Sequence, residues 1–136
     1  MEIARDTAGP VARHSFRAQS YDVDFAEVVS NIAYLRWCED LRLALTDELL
    51  PGWETGKYGN VLVVAETKIR YRRPVHLYDI LEGACRITAT DGKFFIMSCE
   101  FHRKGELTTH SEHKCCMVDA ATGKAAELPE AIAAAL

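Results

Sequence analysis

Apolar and polar residues alternate along several segments of the chain, which is the pattern of strands with one buried face. The clearest alternation covers residues 61–73, and Pro74 ends it. If the alternation over residues 61–73 is unbroken, one face of the strand carries Val61, Val63, Ala65, Thr67, Ile69 and Tyr71. The other predicted strands cover residues 13–22, 78–90, 94–103 and 107–118. Because the tight-turn sequences Asp91-Gly92 and Lys104-Gly105 join the last three strands, we expect an antiparallel sheet.

One segment, residues 30–49, instead repeats its apolar residues every three or four positions, as an amphipathic helix does. The expected buried stripe is Ile32, Leu35, Cys38, Leu41 or Arg42, Leu45 and Leu49. Ser30 and Asn31 stand where a helix N-cap belongs, and Pro51-Gly52 ends the helix. The pattern predicts one α+β domain over residues 1–136, with an antiparallel sheet of about five strands wrapped around this central helix.

Composition and charge narrow the class of protein. Hydrophobic residues at 49% and charged residues at 26% are ordinary values for a globular domain. The net charge of -4 disfavours a nucleic-acid partner. No apolar run is long enough to span a membrane, and residues 1–13 lack the apolar core of a signal peptide. Residues 1–12 are expected to be frayed. With five cysteines and no Cys-x-x-Cys spacing, we expect a reduced, cytoplasmic protein.

A short acidic turn carrying Asp22, Asp24 and Glu27 joins the first strand to the helix. A helix N-terminus offers free N–H donors and the positive end of the helix dipole, which suit a developing oxyanion. A carboxylate beside that end can act as a nucleophile or a general base. The turn is therefore a candidate acyl-transfer site, although acids before a helix are more often turn or cap residues.

A set of short motifs stands in order along the chain: Asp22-Val23-Asp24, Val28-Val29-Ser30-Asn31, Tyr34-Leu35-Arg36-Trp37, Ile69-Arg70-Tyr71, Pro74-Val75 and Asp79-Ile80. This combination resembles the hotdog-fold thioesterases, in the branch of the 4-hydroxybenzoyl-CoA and short-chain acyl-CoA thioesterases. The resemblance covers almost the whole chain. It implies an acyl-CoA substrate, with coenzyme A as part of the substrate and no separate cofactor. It also implies homodimers with a continuous sheet, often paired into homotetramers, and active sites between subunits.

The resemblance assigns roles within the acidic turn. The catalytic carboxylate falls on Asp24, and the oxyanion donor is the backbone N–H seven residues later, at Asn31. The family usually has a small residue and then glycine after the catalytic acid, whereas this chain continues Phe25-Ala26-Glu27. Without glycine, a positive φ is harder to reach. Glu27 adds a third acid, which is the alternative catalytic base.

A basic strip lies on the strand that precedes Pro74. Alternate strand residues point the same way, so Lys68, Arg70 and Arg72 form a line about 14 Å long. With Arg73, they are candidate contacts for the phosphates of coenzyme A, and we favour Arg72 and Arg73. The alternative is a solvated strand face in a net acidic protein.

The histidines and cysteines of the last long strand do not predict a metal site. Period-two geometry puts His110 and Cys116 on one face and His113 and Cys115 on the other. Four ligands cannot converge from that arrangement, so the cysteines, with Cys38 and Cys99, are expected to pack as small apolar residues.

Three other functions are compatible with the fold. The acyl group could arrive on acyl carrier protein, whose acidic surface the basic strip would meet. A hotdog dehydratase would require a histidine near the helix start, and none lies between His14 and His76. A non-catalytic binder of acyl-CoA would show no turnover. For the pocket itself, Tyr34 is a candidate for the acyl tunnel, and Trp53 and Tyr58 are candidates for a lid or wall.

Overall fold

The computed structural model describes residues 9–136, in which an antiparallel sheet surrounds one long helix. Strands β1 to β6 cover Ala12–Arg17, Asn60–Tyr71, Ile80–Thr90, Phe94–Arg103, Glu106–Asp119 and Ala125–Ala126. Helices α1 and α2 cover Asn31–Leu49 and Glu130–Ala133, and short 3-10 turns cover Ser20–Asp22 and Trp53–Thr55. Among the described residues, no helix has the length and apolar character needed to cross a membrane. The predicted fraying of the N-terminal segment falls largely on residues 1–8, outside the described residues.

The strands pair antiparallel in the order β1-β3-β4-β5-β2, and β6 adds to β5. The predicted α+β architecture is confirmed, with the two-residue strand β6 as an addition. Strand β1 ends at Arg17, so the prediction that it continues to residue 22 is wrong. Within residues 9–136 the sheet has two edges, β1 with six residues and β2 with twelve.

Helix α1 packs over β1, β3 and β4. Its buried residues are Ala33, Tyr34, Trp37, Cys38, Leu41, Leu45 and Thr46. The predicted stripe is wrong at Ile32 and Leu35, which are 61% and 45% exposed. Both sets of residues recur every three or four positions, so periodicity alone does not decide which stripe faces the sheet. Aromatic residues at 34 and 37 lie on the stripe that does.

Strand β2 contains a β-bulge between Val64 and Glu66. The extra residue, Ala65, exchanges the two faces of the strand, so the predicted unbroken alternation is wrong at this point. Leu62 and Val64 line a cavity against α1, and beyond the bulge Thr67 also faces inward.

Gly83, in the middle of β3, allows α1 and the ring of Phe16 to lie close to the face of the sheet. A Cβ atom at this position would stand 2.8 Å from Phe16 Cε2 and 3.0 Å from Leu41 Cδ1. Carbon atoms in contact normally stand about 3.5–4.0 Å apart. Both neighbours are buried, so neither can move into solvent.

We therefore expect Gly83→Val to lower the free energy of unfolding by about 3 kcal/mol, the upper end of the usual cost of overpacking a core. Urea unfolding at equilibrium measures the change. Ala89→Val is the matched control, because Ala89 is exposed on the same strand and the new side chain suits a strand. Equal stability of the two variants would contradict the close approach at Gly83.

Candidate active site

The segment between β1 and α1 folds back as a narrow hairpin. The N–H of Asp24 donates to the carbonyl of Val28 at 3.0 Å, and the N–H of Glu27 donates to the carbonyl of Asp24 at 2.9 Å. Glu27 has φ +67°, in the left-handed region that glycine adopts without cost. The turn therefore keeps a positive φ without glycine, at a cost of about 1 kcal/mol.

The two aspartates of this hairpin have different roles. Asp22 is 6% exposed, and its Oδ2 accepts the N–H of Gln19 at 2.8 Å. Its carbonyl accepts the N–H of Ser30 at 2.8 Å, so Asp22 holds the hairpin in place. Asp24 is exposed, and its Oδ1 accepts the N–H of Ala26 at 2.8 Å. Asp24 thus presents an oriented carboxylate at the surface, which Asp22 does not.

The start of α1 offers an unoccupied donor. Ser30 is the N-cap, and its Oγ accepts the N–H of Ala33 at 3.2 Å. Asn31 is the first helical residue, so the prediction that its side chain shares the capping is wrong. A first-turn N–H has no acceptor within its helix, and within residues 9–136 the N–H of Asn31 has no backbone or side-chain partner. It can therefore bind an anionic oxygen.

Asp24 and Asn31 line the same open cleft, which has a volume of about 340 Å³. The other residues of this Asp24 cleft are Val28, Val29, Tyr34, Tyr71, Arg72, Arg73, Pro74 and Val75. The structure thus brings together the carboxylate, the helix start and two of the predicted cations. Glu27 is exposed and is not among the residues that line the cleft.

The basic strip is divided between two places. Arg72 and Arg73 line the Asp24 cleft. The backbone N–H of each donates to the carbonyl of Thr108. Lys68 and Arg70 are exposed and do not line the cleft. Lys68 Nζ stands 3.5 Å from Glu66 Oε1, in a depression on the outer face of the sheet. The alternative of a solvated strand face therefore describes Lys68 and Arg70.

Sequence reasoning missed two further cations near the cleft, Arg103 and Lys104. They line a second depression of about 360 Å³, which shares Arg73 and Pro74 with the Asp24 cleft. Arg103 Nε lies 3.2 Å from Asp79 Oδ1. In the sequence, Arg103 and Lys104 are visible only as two adjacent cations at a predicted hairpin turn. Their nearness to Arg73 depends on how β4 and β5 pair, which the sequence does not show.

An aromatic wall closes one side of the cleft, as the prediction for Tyr34 suggested. The rings of Tyr34 and Tyr71 are 5.5 Å apart, and Tyr34 packs edge-on against Trp37 and Phe101. Burial raises the pKa of both tyrosine hydroxyls, so both remain neutral near pH 7. A neutral aromatic wall suits an apolar acyl group.

A buried cluster under α1 brings Cys38, Cys99 and His113 together, with their ligand atoms within 4.8 Å of one another. These residues come from α1, β4 and β5, so the period-two geometry of one strand does not apply to them. Arg42 Nη1 lies 3.2 Å from His113 Nδ1, and a guanidinium can only donate. Nδ1 is therefore the acceptor, and Nε2–H donates to Ser111 Oγ at 2.7 Å. In this state neither nitrogen offers a free lone pair to a metal.

The family model described as "Thioesterase-like superfamily" matches residues 19–136. Comparison with curated proteins gave no match. A probable thioesterase from Escherichia coli is 25% identical, with 89% of this chain and 92% of that chain covered and a TM-score of 0.78.

Two other solved structures show the same fold. A 1,4-dihydroxy-2-naphthoyl-CoA thioesterase from Synechocystis is 19% identical over 92% of this chain and 97% of that chain, with a TM-score of 0.80. A hypothetical protein from Staphylococcus aureus, in complex with CoA, is 14% identical over 96% of this chain and 84% of that chain, with a TM-score of 0.82.

Proposed function

This chain belongs to the thioesterase-like superfamily, and we propose that it hydrolyses the thioester of an acyl-CoA to a free acid and coenzyme A. The predicted class of enzyme, a thioester hydrolase, is confirmed at the level of the family. The observation that carries the proposal is that Asp24 and the start of α1 line one cleft. Thioester hydrolysis needs both a carboxylate for the attack and a donor for the oxyanion.

In the proposed mechanism, the thioester carbonyl oxygen lies at the start of α1. The N–H of Asn31 donates to this oxygen as negative charge develops, and one such donor is typically worth about 3 kcal/mol of barrier. Asp24 then acts in one of two ways. Its oxygen attacks the carbonyl carbon, which expels the CoA thiolate and leaves a mixed anhydride for water to hydrolyse. Alternatively, it takes a proton from a water molecule that makes the same attack.

Arg72 and Arg73 are the proposed contacts for the phosphates of coenzyme A. They line the Asp24 cleft, and Arg103 and Lys104 extend the basic surface from its edge. A guanidinium is suited to bind phosphate oxygens. Arg73 also contacts Glu106, with Nε and Oε1 2.5 Å apart, so Arg72 is the less engaged of the two guanidinium groups.

We expect Arg72→Ala to raise KM for acyl-CoA about tenfold with little change in kcat. A phosphate contact remote from the thioester contributes the same binding energy in the ground state and in the transition state. Steady-state kinetics measures both constants. Arg70→Ala removes the same charge from the outer face of the same strand and is the matched control. A similar rise in KM for both variants would assign the effect to net charge and contradict a specific contact.

Homodimer formation along β2 is also part of the proposal. Within the described residues β2 is the longer edge of the sheet, and Val61, Val63 and Val64 on it are exposed. A long free edge with apolar side chains is a template for pairing with another strand. A second copy would cover this edge and extend the sheet.

The function is tested by measuring thiol release from a panel of acyl-CoAs, from acetyl to palmitoyl together with benzoyl and phenylacetyl types. All five cysteines are buried, so the enzyme's own thiols add little background. Turnover of any member supports the proposal. If the enzyme hydrolyses acyl thioesters of acyl carrier protein and none of the acyl-CoAs, the substrate is instead an acylated acyl carrier protein. Tight acyl-CoA binding without turnover would identify a non-catalytic binder.

A further inference from the structure

A second cavity, of about 130 Å³, lies between α1 and β2 and is here called the distal cavity. Its walls come from residues 39–46 of α1, from Trp53, and from Leu62 and Val64 of β2. Within the described part of the chain, no residue lines both this cavity and the Asp24 cleft. The distal cavity is therefore a separate candidate site.

Apolar side chains form most of the wall of the distal cavity. They belong to Leu43, Trp53, Leu62 and Val64. An apolar cavity of about 150 Å³ can hold a benzene ring, so the distal cavity suits a ligand with an apolar part of about six carbon atoms. An inorganic anion such as phosphate has no apolar part to cover these walls.

Trp53 makes one side of this wall rigid. Its Nε1 donates to Asp47 Oδ1 at 2.6 Å, and this bond holds the indole in place. The prediction that Trp53 lines a pocket thus applies to the distal cavity. Tyr58, the other residue predicted for a lid or wall, instead donates its hydroxyl to the carbonyl of Pro51 at 2.9 Å.

Arg42 supplies a cation at the inner end of the distal cavity. Its Nη1 donates to His113 Nδ1 at 3.2 Å, and His113 is fully buried. The imidazole is itself held in place, because Thr67 Oγ1 lies 3.1 Å from Nδ1 and Ser111 Oγ lies 2.7 Å from Nε2. The guanidinium is thereby anchored through one of its five N–H groups.

The remaining N–H groups of Arg42 are available to a ligand. Within residues 9–136 the guanidinium forms no ion pair, and the contact with His113 is its one hydrogen bond. Glu39 also lines the cavity, but it is exposed and does not pair with Arg42. A guanidinium binds a carboxylate through two parallel N–H bonds. An anchored guanidinium beside an apolar wall therefore matches a carboxylate with a hydrocarbon part.

We propose that the distal cavity binds a small monocarboxylate, of the size of benzoate or a short-chain acid. Its carboxylate lies on Arg42, and its hydrocarbon part lies against Leu43, Leu62 and Val64. The reaction proposed above releases acids of the same class, so occupation of this site would respond to product. The binding itself does not require that reaction, because the site lies apart from Asp24.

The two tryptophans allow the bound acid to be located by NMR. Trp53 lines the distal cavity, whereas Trp37 packs edge-on against Tyr34, which lines the Asp24 cleft. Sodium benzoate is titrated into isotope-labelled protein, and the indole N–H signals are assigned with Trp53→Phe. We expect a saturable shift of the Trp53 signal, with a Kd of about 1 mM or below, and none of the Trp37 signal. No shift at Trp53, or saturation at Trp37 over the same concentrations, would overturn the inference.

Three charge variants test where the carboxylate lies. Arg42→Gln is expected to weaken benzoate binding about tenfold or more. Arg36→Gln is the matched control, because Arg36 is exposed on the same helix and does not line the cavity. Equal weakening in both variants would assign the effect to net charge and overturn the inference. Glu39→Gln removes a like charge from the cavity and is expected to tighten binding about twofold, whereas weaker binding would place the carboxylate away from Arg42.

A neutral ligand of the same shape tests the wild-type protein directly, since Arg42→Gln also removes the hydrogen bond to His113. Benzamide has nearly the shape of benzoate and carries no charge. We expect it to bind at Trp53 about tenfold more weakly than benzoate. Equal binding would mean that the cavity selects the ring and not the carboxylate, and would overturn the inference. Absence of acyl-CoA turnover would overturn the proposed function alone, because the titration measures binding without any reaction.

Discussion

Asp24→Asn is expected to lower kcat for acyl-CoA hydrolysis by about a hundredfold or more, with little change in KM. A neutral amide can neither attack the carbonyl carbon as an anion nor take a proton from water. The substitution preserves the turn, because the Oδ1 of asparagine can still accept the N–H of Ala26. The loss would therefore come from the chemistry and not from the fold.

The matched control for this variant is Glu27→Gln. Glu27 belongs to the same hairpin, is also exposed, and loses the same charge, but it is not among the residues that line the cleft. We expect less than about a threefold change in kcat from this control, within the usual effect of an exposed charge. Activity that survives in Asp24→Asn and falls in Glu27→Gln would transfer the role to Glu27. Circular dichroism and thermal unfolding of both variants check that the fold is unchanged.

Alkaline pH is expected to destabilise the protein by several kcal/mol between about pH 8.5 and 10.5. The hydrogen bond to Cys99 and burial raise the pKa of the Cys38 thiol, and burial raises the pKa of Cys115 to about 11. The pKa of the Cys99 thiol is also raised, because its hydrogen bond with Cys85 and burial outweigh the opposing effect of Cys38. In the unfolded chain a free thiol has a pKa of about 8.5.

The sign follows from the protons bound in each state. Above about pH 8.5 the unfolded chain loses thiol protons while the folded chain keeps them, so the unfolded state binds fewer protons and the free energy of unfolding falls as pH rises. Each such thiol contributes about 1.4 kcal/mol per pH unit until its folded pKa is reached. Below the unfolded pKa this contribution to stability is fully present.

Urea unfolding at a series of pH values measures this dependence under reducing conditions. Cys115→Ala is the matched variant, and its slope against pH should be shallower by about 1.4 kcal/mol per unit between about pH 8.5 and 11. The slopes are compared, and not the absolute stabilities, because the substitution also removes a buried sulfur atom. Identical slopes for wild type and variant would contradict a buried, protonated Cys115.

Several features of the fold were predictable because they depend on neighbours in the chain. Ser30 caps α1, as its side-chain oxygen suggested, and Asp91-Gly92 joins β3 to β4. The pair Asp22 and Asp24 before a helix start identified the candidate site, and the structure places Asp24 in a cleft with Asn31. Each of these features follows from hydrogen bonding or spacing between residues close in the sequence, and does not depend on contacts with distant segments.

Other features were decided by the tertiary structure. Ile32 and Leu35 satisfy helical spacing as well as Tyr34 and Trp37 do, and only packing against the sheet selected the second pair. The bulge at Ala65 changed which residues of β2 face inward. The nearness of Arg103 to Arg73, and of Cys38 to His113, depends on strands and a helix that are distant in the sequence.

The order and type of the long elements, the helix cap and the acidic turn could therefore be predicted from the sequence. Which helix stripe is buried, which cations share the cleft and which side of β2 remains open depend on how the elements pack. The physical reason is that hydrogen bonding in turns and side-chain periodicity are local, whereas burial is a property of segments that meet only after folding. An exposed apolar stripe beside a free strand edge becomes visible only when both are placed in space.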